Sequence, residues 1–175
     1  TSDESRPLGV LSGGEAGRAL CGSDVLPSLR TRSLAILALE AVGVAARALE
    51  LSVAYVSDRE QFGRRIGSYQ AVSHPLASSL AEIELARSLA WWAAWCVAHD
   101  EPEAPVAAAA AKAEASDAAV SACERAIQAH GGIGFTWEHA LHRLYKRALA
   151  IQGWEASSAQ LRGEVASHLL DGGGT

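Results

Sequence analysis

The residues best equipped for chemistry stand in one stretch, Ala126 to Glu155, AIQAHGGIGFTWEHALHRLYKRALAIQGWE. Its Gly131-Gly132-Ile133-Gly134 segment permits backbone torsions and close ligand approach that side chains forbid, so it can present bare N–H groups to a large anion. At its far end, Glu155 is a carboxylate delivered by a helix with a basic face, Arg143, Lys146 and Arg147. His139 and His142, with Glu138, have a spacing that lets two side chains of one helix reach one ion. No third ligand accompanies them, so a metal is not expected. A second concentration, DREQFGRRIGS from Asp58 to Ser68, gathers Arg59, Arg64 and Arg65 among two glycines. As residues alone, it is equally a solvated turn or a basic phosphate-binding connector.

Long helices must position these two segments. From Ser33 to Ser57, Leu34, Leu37, Ala38, Ala41, Ala45, Ala48, Leu49, Ser52 and Val53 recur at three and four, predicting an amphipathic helix. Gly43 within it is expected to mark a close helix contact. After the basic connector, a second helix is expected from Tyr69 to His99, with an inner stripe of Leu76, Leu80, Ile83, Ala86, Leu89 and Ala90. Trp91, Trp92 and Trp95 on it read as core or interface anchors. The alanine-rich run from Pro105 to Ala129 offers small side chains on several faces and predicts a central helix, stopped by Gly131. A shorter helix from Thr136 to Ala150 and a last one from Glu155 to Leu170 complete the prediction. The fold class is all-α: an antiparallel four-helix bundle with an additional short helix.

The chain has 175 residues, enough for one domain that buries roughly two-thirds of its unfolded surface. Residues 1–28, rich in glycine without sustained periodicity, read as an irregular segment or the tail of a preceding domain, and no chemistry is assigned to them. Residues 29–172 form the helical domain. A net charge of −5 argues against nucleic acid as the main partner. The three cysteines have no CxxC spacing, which suggests reduced thiols and a cytoplasmic setting. No membrane span is expected, because the most apolar run, Leu89 to Ala98, is too short. The sequence begins at Thr1 and lacks methionine, so a fragment or processed piece is expected.

YVSDREQFGRRIGSYQ from Tyr55 to Gln70 and AIQAHGGIGF from Ala126 to Phe135 together resemble the C-terminal helical domain of the acyl-CoA dehydrogenase family. The likeness covers roughly residues 30–170, with both motifs in the family's order. It implies FAD as cofactor. The R-x-Q-F-G arginine, here Arg59, would contact the FAD pyrophosphate of a neighbouring subunit, with Gln61 and Phe62 touching the same cofactor. A guanidinium suits this task, since it offers phosphate a fixed pair of donors. Across the subunit boundary, Gln128, Gly131 and Gly132 of Q-x-x-G-G-x-G would receive the adenosine end. Each cofactor would be held by two chains, implying a homo- or hetero-oligomer, dimer or tetramer.

The resemblance also gives Glu155 a role. In short- and medium-chain members the catalytic glutamate lies in a Y-E-G-T motif, and Glu155 in GWEASS falls there without a gap. It would take the α-proton of an acyl-CoA thioester while the β-hydrogen leaves as hydride to flavin N5, giving the trans-2-enoyl-CoA. Electron-transfer flavoprotein would then accept the electrons. Trp154, Ala156 and Ser157 replace the family's tyrosine, glycine and threonine, with Ser157 retaining a hydroxyl for the cofactor. Some relatives carry the base on the first long helix, but Thr31, Arg32 and Ser33 offer no carboxylate. As a residue alone, Glu155 could equally be a first-turn helix glutamate favoured by the dipole.

A complete family member also has an N-terminal helical domain and a middle β-domain, neither visible in these residues. They are expected either on the same gene product or on a partner chain. An alternative of another class therefore stands beside the dehydrogenase: a non-catalytic helical subunit or fragment that mediates oligomerisation and completes a partner's FAD site. An acyl-CoA oxidase would differ only in admitting oxygen.

Overall fold

A computed structural model describes residues 3–9, 12–13 and 21–172. Five helices carry the chain: α1 (Leu26–Asp58), α2 (Gln70–Ala98), α3 (Ala104–His130), α4 (Leu141–Gly153) and α5 (Ser158–Leu170). The first begins seven residues before the expected Ser33, because Pro27 lies in its first turn, where a fixed φ favours the helix and the missing N–H costs nothing. Pro75 is likewise accommodated near the start of α2. Conversely, α4 and α5 begin later than expected. Gly131–Phe135 forms a 3-10 turn before α4, and Ser157 is the N-cap of α5.

The central helix is α3, which packs against all four others. Ala107, Ala108, Ala111, Ala115, Ala119 and Ala126 have no measurable exposure, so helix backbones approach closely around it. Their partners are the predicted apolar stripes of α1 and α2, centred on Leu34, Ala38, Ala45, Ile83 and Ala90. Ion pairs fasten the outer helices: Arg30 of α1 to Glu164 of α5, Arg125 of α3 to Glu82 of α2, and Arg162 of α5 to Asp117 of α3.

The basic connector between α1 and α2 is a hairpin. Strand β1 (Glu60–Gln61) pairs antiparallel with β2 (Arg64–Arg65), and Gln61 faces Arg64 across the turn. Phe62 and Gly63 both have positive φ, 54° and 78°, as the tight type I′ hairpin turn requires. Two-residue strands leave no alternating pattern in a sequence.

One expectation is corrected and one is narrowed. Gly43 faces outward, and a Cβ there would meet nothing within 4 Å, so it marks no helix contact. Trp91, Trp92 and Trp95 are 67%, 39% and 51% exposed, which removes them from the core of this chain. Residues 1–28 fall partly outside the described residues, yet Asp3 is buried and pairs with Arg147 of α4, which also binds Glu40 of α1. This ion pair is a structural contact, and no chemistry is assigned to the segment. It shows that Arg147, expected on a basic face, engages acidic neighbours.

Candidate functional site

The two motifs expected on opposite sides of a subunit boundary lie at the same end of one chain. The Tyr55 ring, one turn before Arg59, stacks on His130 with centroids 4.3 Å apart, and His130 in turn meets His139 at 4.6 Å. Thus the last turn of α1 and the last turn of α3 share an aromatic support, beneath the hairpin and the glycine turn. His130 is buried and its Nδ1 bonds the Ala126 carbonyl at 2.8 Å. Burial holds its pKa below the ordinary histidine value, against the opposing effect of that bond and with help from His139. It therefore serves as packing below the turn.

Each glycine of the turn has a separate reason. Gly131 takes φ 62° and ψ −138°, a conformation that side chains disfavour strongly, and so ends α3. At Gly134 a Cβ would lie 2.7 Å from the Ile127 carbonyl oxygen, so the turn closes only with glycine. At Gly131 and Gly132 an added Cβ would meet no atom within 4 Å, leaving an open backbone face. Gln128, one turn earlier on α3, is exposed beside them.

On the hairpin, Arg59 is the C-cap of α1, is exposed, and makes no ion pair or side-chain hydrogen bond among the described residues. Gln61 Nε2 donates to the Glu60 carbonyl at 2.7 Å, and Tyr69 packs below under the Arg64 guanidinium. Phe62 is 93% exposed. A bulky residue at positive φ costs conformational energy, and its apolar ring gains nothing from this chain's own core. An unengaged guanidinium, an uncovered aromatic ring and an open glycine backbone at one end of the bundle fit a large anionic ligand with a planar ring, and so fit FAD.

Glu155 lies near the other end. Counting 19 residues along α3 from Lys112, which contacts its turn, to Gly131, the separation is about 28 Å. The amide of Ala156 donates back to the Trp154 carbonyl at 2.9 Å across Glu155, whose φ is 67°. This is a γ-turn of the rare positive-φ kind, strained for a non-glycine residue. Glu155 is therefore not a first-turn helix residue.

Two α3 side chains clasp this turn, and neither was anticipated. Lys112, fully buried, donates from Nζ to the carbonyls of Gln152 at 2.9 Å and Ala156 at 2.6 Å, one on each side of Glu155. Burial pushes its pKa below the ordinary lysine value, while Asp117 and Glu155 favour the charged form. Asp117 accepts hydrogen bonds from Gln152, Ser158 and Arg162 at 3.0, 2.7 and 2.7 Å. Burial raises its pKa, but the three bonds outweigh that effect and hold the carboxyl below its usual range. A lysine inside an otherwise alanine-rich helix was the available signal.

Glu155 lines an open groove of about 820 Å³ together with Leu26, Pro27, Leu29 and Pro105. Thr31 and Ser33 line the same groove and add no carboxylate. Arg30, also there, has its guanidinium doubly engaged by Glu164 at 2.7 and 3.0 Å. Ser157 is occupied within the chain: its hydroxyl and amide form a capping box with Gln160. His139 and His142 engage ring neighbours, and no group of three metal-ligating side chains forms among the described residues. Nor is any described helix long and apolar enough to cross a membrane.

The chain is thus a helical bundle with an unengaged arginine and an open glycine turn at one end and an acidic residue in a positive-φ turn toward the other. Residues 32–170 match the family model described as acyl-CoA dehydrogenase, C-terminal domain. The chain is 42% identical over 134 residues to "Probable acyl-CoA dehydrogenase YngJ" of Bacillus subtilis, covering 77% of this chain and 35% of that protein. It is 40% identical over 148 residues to acyl-CoA dehydrogenase IpdE2 of Mycobacterium tuberculosis, covering 85% and 43%. The solved structure of butyryl-CoA dehydrogenase from Megasphaera elsdenii superposes with a TM-score of 0.79 at 30% identity, covering 85% of this chain and 39% of that one. The chain belongs to the acyl-CoA dehydrogenase family and carries its C-terminal helical domain. It spans about two-fifths of the length of these relatives.

Proposed function

We propose that this domain serves an FAD-dependent α,β-dehydrogenation of an acyl-CoA thioester to the trans-2-enoyl-CoA, with Glu155 as the base. One observation carries the reading. The glutamate at the family's Y-E-G-T position sits in a strained turn, clasped from both sides by α3, and lines a groove with Leu26, Pro27, Leu29 and Pro105 on its apolar side.

Bound FAD would supply a hydride acceptor for the β-hydrogen. Glu155 takes the α-proton onto its carboxylate, so that one C–H bond gives up a proton, the other a hydride, and a C=C bond forms. The apolar side of the groove excludes water from that carboxylate once an acyl chain covers it. Arg59 would grip the pyrophosphate, Gln61 and Phe62 would line the same cofactor, and Gln128, Gly131 and Gly132 would receive its adenosine end. Ser157, whose hydroxyl is engaged by Gln160 in the capping box, would be a further cofactor contact. Electrons leave to an electron-transfer flavoprotein.

Lys112, which clasps the Glu155 turn, and Gly131 lie about 28 Å apart along α3. That separation supports a reading in which one chain's Arg59 and Glu155 serve different cofactors and two chains of a dimer or tetramer share each FAD. The test is anaerobic addition of acyl-CoA to the flavin-loaded holoenzyme. Bleaching of the visible flavin band with formation of enoyl-CoA is expected. A holoenzyme that retains FAD but bleaches with no acyl-CoA would overturn the enzymatic reading in favour of a helical subunit that completes a partner's site.

A further inference from the structure

We infer that Lys112 is the positioning residue of the reaction: its side chain, by clasping the carbonyls of Gln152 and Ala156, holds Glu155 in the γ-turn that aims the carboxylate into the groove. This rests on the reading of Glu155 as the base. A positive-φ γ-turn at a non-glycine residue does not persist unless surrounding contacts over-determine it. Those contacts are few and identifiable. Lys112 Nζ makes two short bonds, 2.9 Å to the end of α4 and 2.6 Å to the residue after Glu155, so both flanks of the turn are tied to one rigid point on the central helix. The side chain is 0% exposed, so packing on all sides restricts its stem.

The choice of lysine is also informative. No ion pair with Lys112 exists among the described residues, and its bonds go to neutral carbonyls. A buried ammonium is costly, and a stability role alone would be met more cheaply by an apolar side chain. What an apolar residue cannot do is bind two converging carbonyl oxygens from a central helix while keeping positive charge near a carboxylate. Asp117 acts on the same turn through Gln152 and Ser158, from the outer side, but contacts neither carbonyl.

The experiment compares Lys112→Met, Lys112→Gln and Glu155→Gln in the flavin-loaded holoenzyme, with the double variants Lys112→Met/Glu155→Gln and Lys112→Gln/Glu155→Gln. Lys112→Met should lower kcat about 10²-fold, the scale of an ångström-sized misplacement, with KM for acyl-CoA and flavin content unchanged. Lys112→Gln, which keeps amide donors, should recover part of that loss. Adding either Lys112 change to Glu155→Gln should cost nothing further in kcat, because the residue acts through Glu155. If Lys112→Met fails to fold, the Gln variant and its double carry the comparison. Equal, additive losses in both Glu155 backgrounds, or a change confined to thermal stability, would overturn the inference. Full turnover in Glu155→Gln would instead overturn the base assignment.

Discussion

Glu155 occupies a backbone conformation better suited to glycine, the residue the family's pattern places one position later, where this chain has Ala156. The alanine shows that the turn does not need glycine after the carboxylate, provided α3 supplies the restraint. Positive φ at a residue with a Cβ costs of order 1–2 kcal/mol, which the proposed role of Glu155 would account for. Glu155→Gly should consequently raise thermal stability by a few degrees, about 2–4 °C per kcal/mol in a chain of this size, while abolishing turnover. Differential scanning calorimetry alongside the steady-state assay checks both. A variant that is destabilised would show that the turn is not strained. Phe62 presents the same pattern on the hairpin, where an exposed ring at positive φ gains nothing from this chain's interior.

Among the elements, α3 sets the geometry, since the glycine turn ends it and Lys112 and Asp117 project from it to fix the Glu155 turn. Asp117 makes part of this restraint dependent on pH. Its folded pKa lies below the ordinary 3.8, so its contribution is fully present above that value and is lost as pH falls through the folded value. Urea unfolding from about pH 5 downward should show stability falling, and Asp117→Asn should flatten that fall while lowering stability at neutral pH. A slope unchanged by the substitution would assign the acid sensitivity elsewhere. Much of this architecture was legible in the sequence. The apolar repeats of α1 and α2 and the alanines of α3 gave the long helices, because helix–helix burial follows period 3.6 directly. The hairpin at Glu60–Arg65 was hidden, as two-residue strands carry no period and Phe62 is not a customary turn residue. Gly131 was readable as a helix stop, and its open backbone followed from the same chemistry. Lys112 and Arg147 were not, because pairings with Ala156 and Asp3, 44 and 144 positions away, are set by tertiary packing.

In the whole molecule, the hairpin and the glycine turn stand well apart from Glu155 along one bundle, and the proposed sharing of each site between two chains rests on that arrangement. Exposed Trp91, Trp92 and Trp95 on the outer face of α2 add apolar surface that the chain does not cover itself. Complementation tests the sharing. Arg59→Ala and Glu155→Gln should each inactivate a holoenzyme built from one kind of chain. Mixed equally in a shared-site dimer, they should regain roughly a quarter of wild-type activity, because each mixed dimer contains one site with both residues intact. No recovery from demonstrably mixed dimers would place both residues on the same site.

The central claim is that the Glu155 carboxylate removes the α-proton. The most direct measurement is wash-out of the α-hydrogen of an acyl-CoA into deuterated water by the flavin-loaded holoenzyme, compared with Glu155→Gln. Exchange is expected from the wild-type protein, with a loss of about 10²–10⁴-fold in the variant with FAD and acyl-CoA still bound. Exchange at the wild-type rate in Glu155→Gln would contradict that claim.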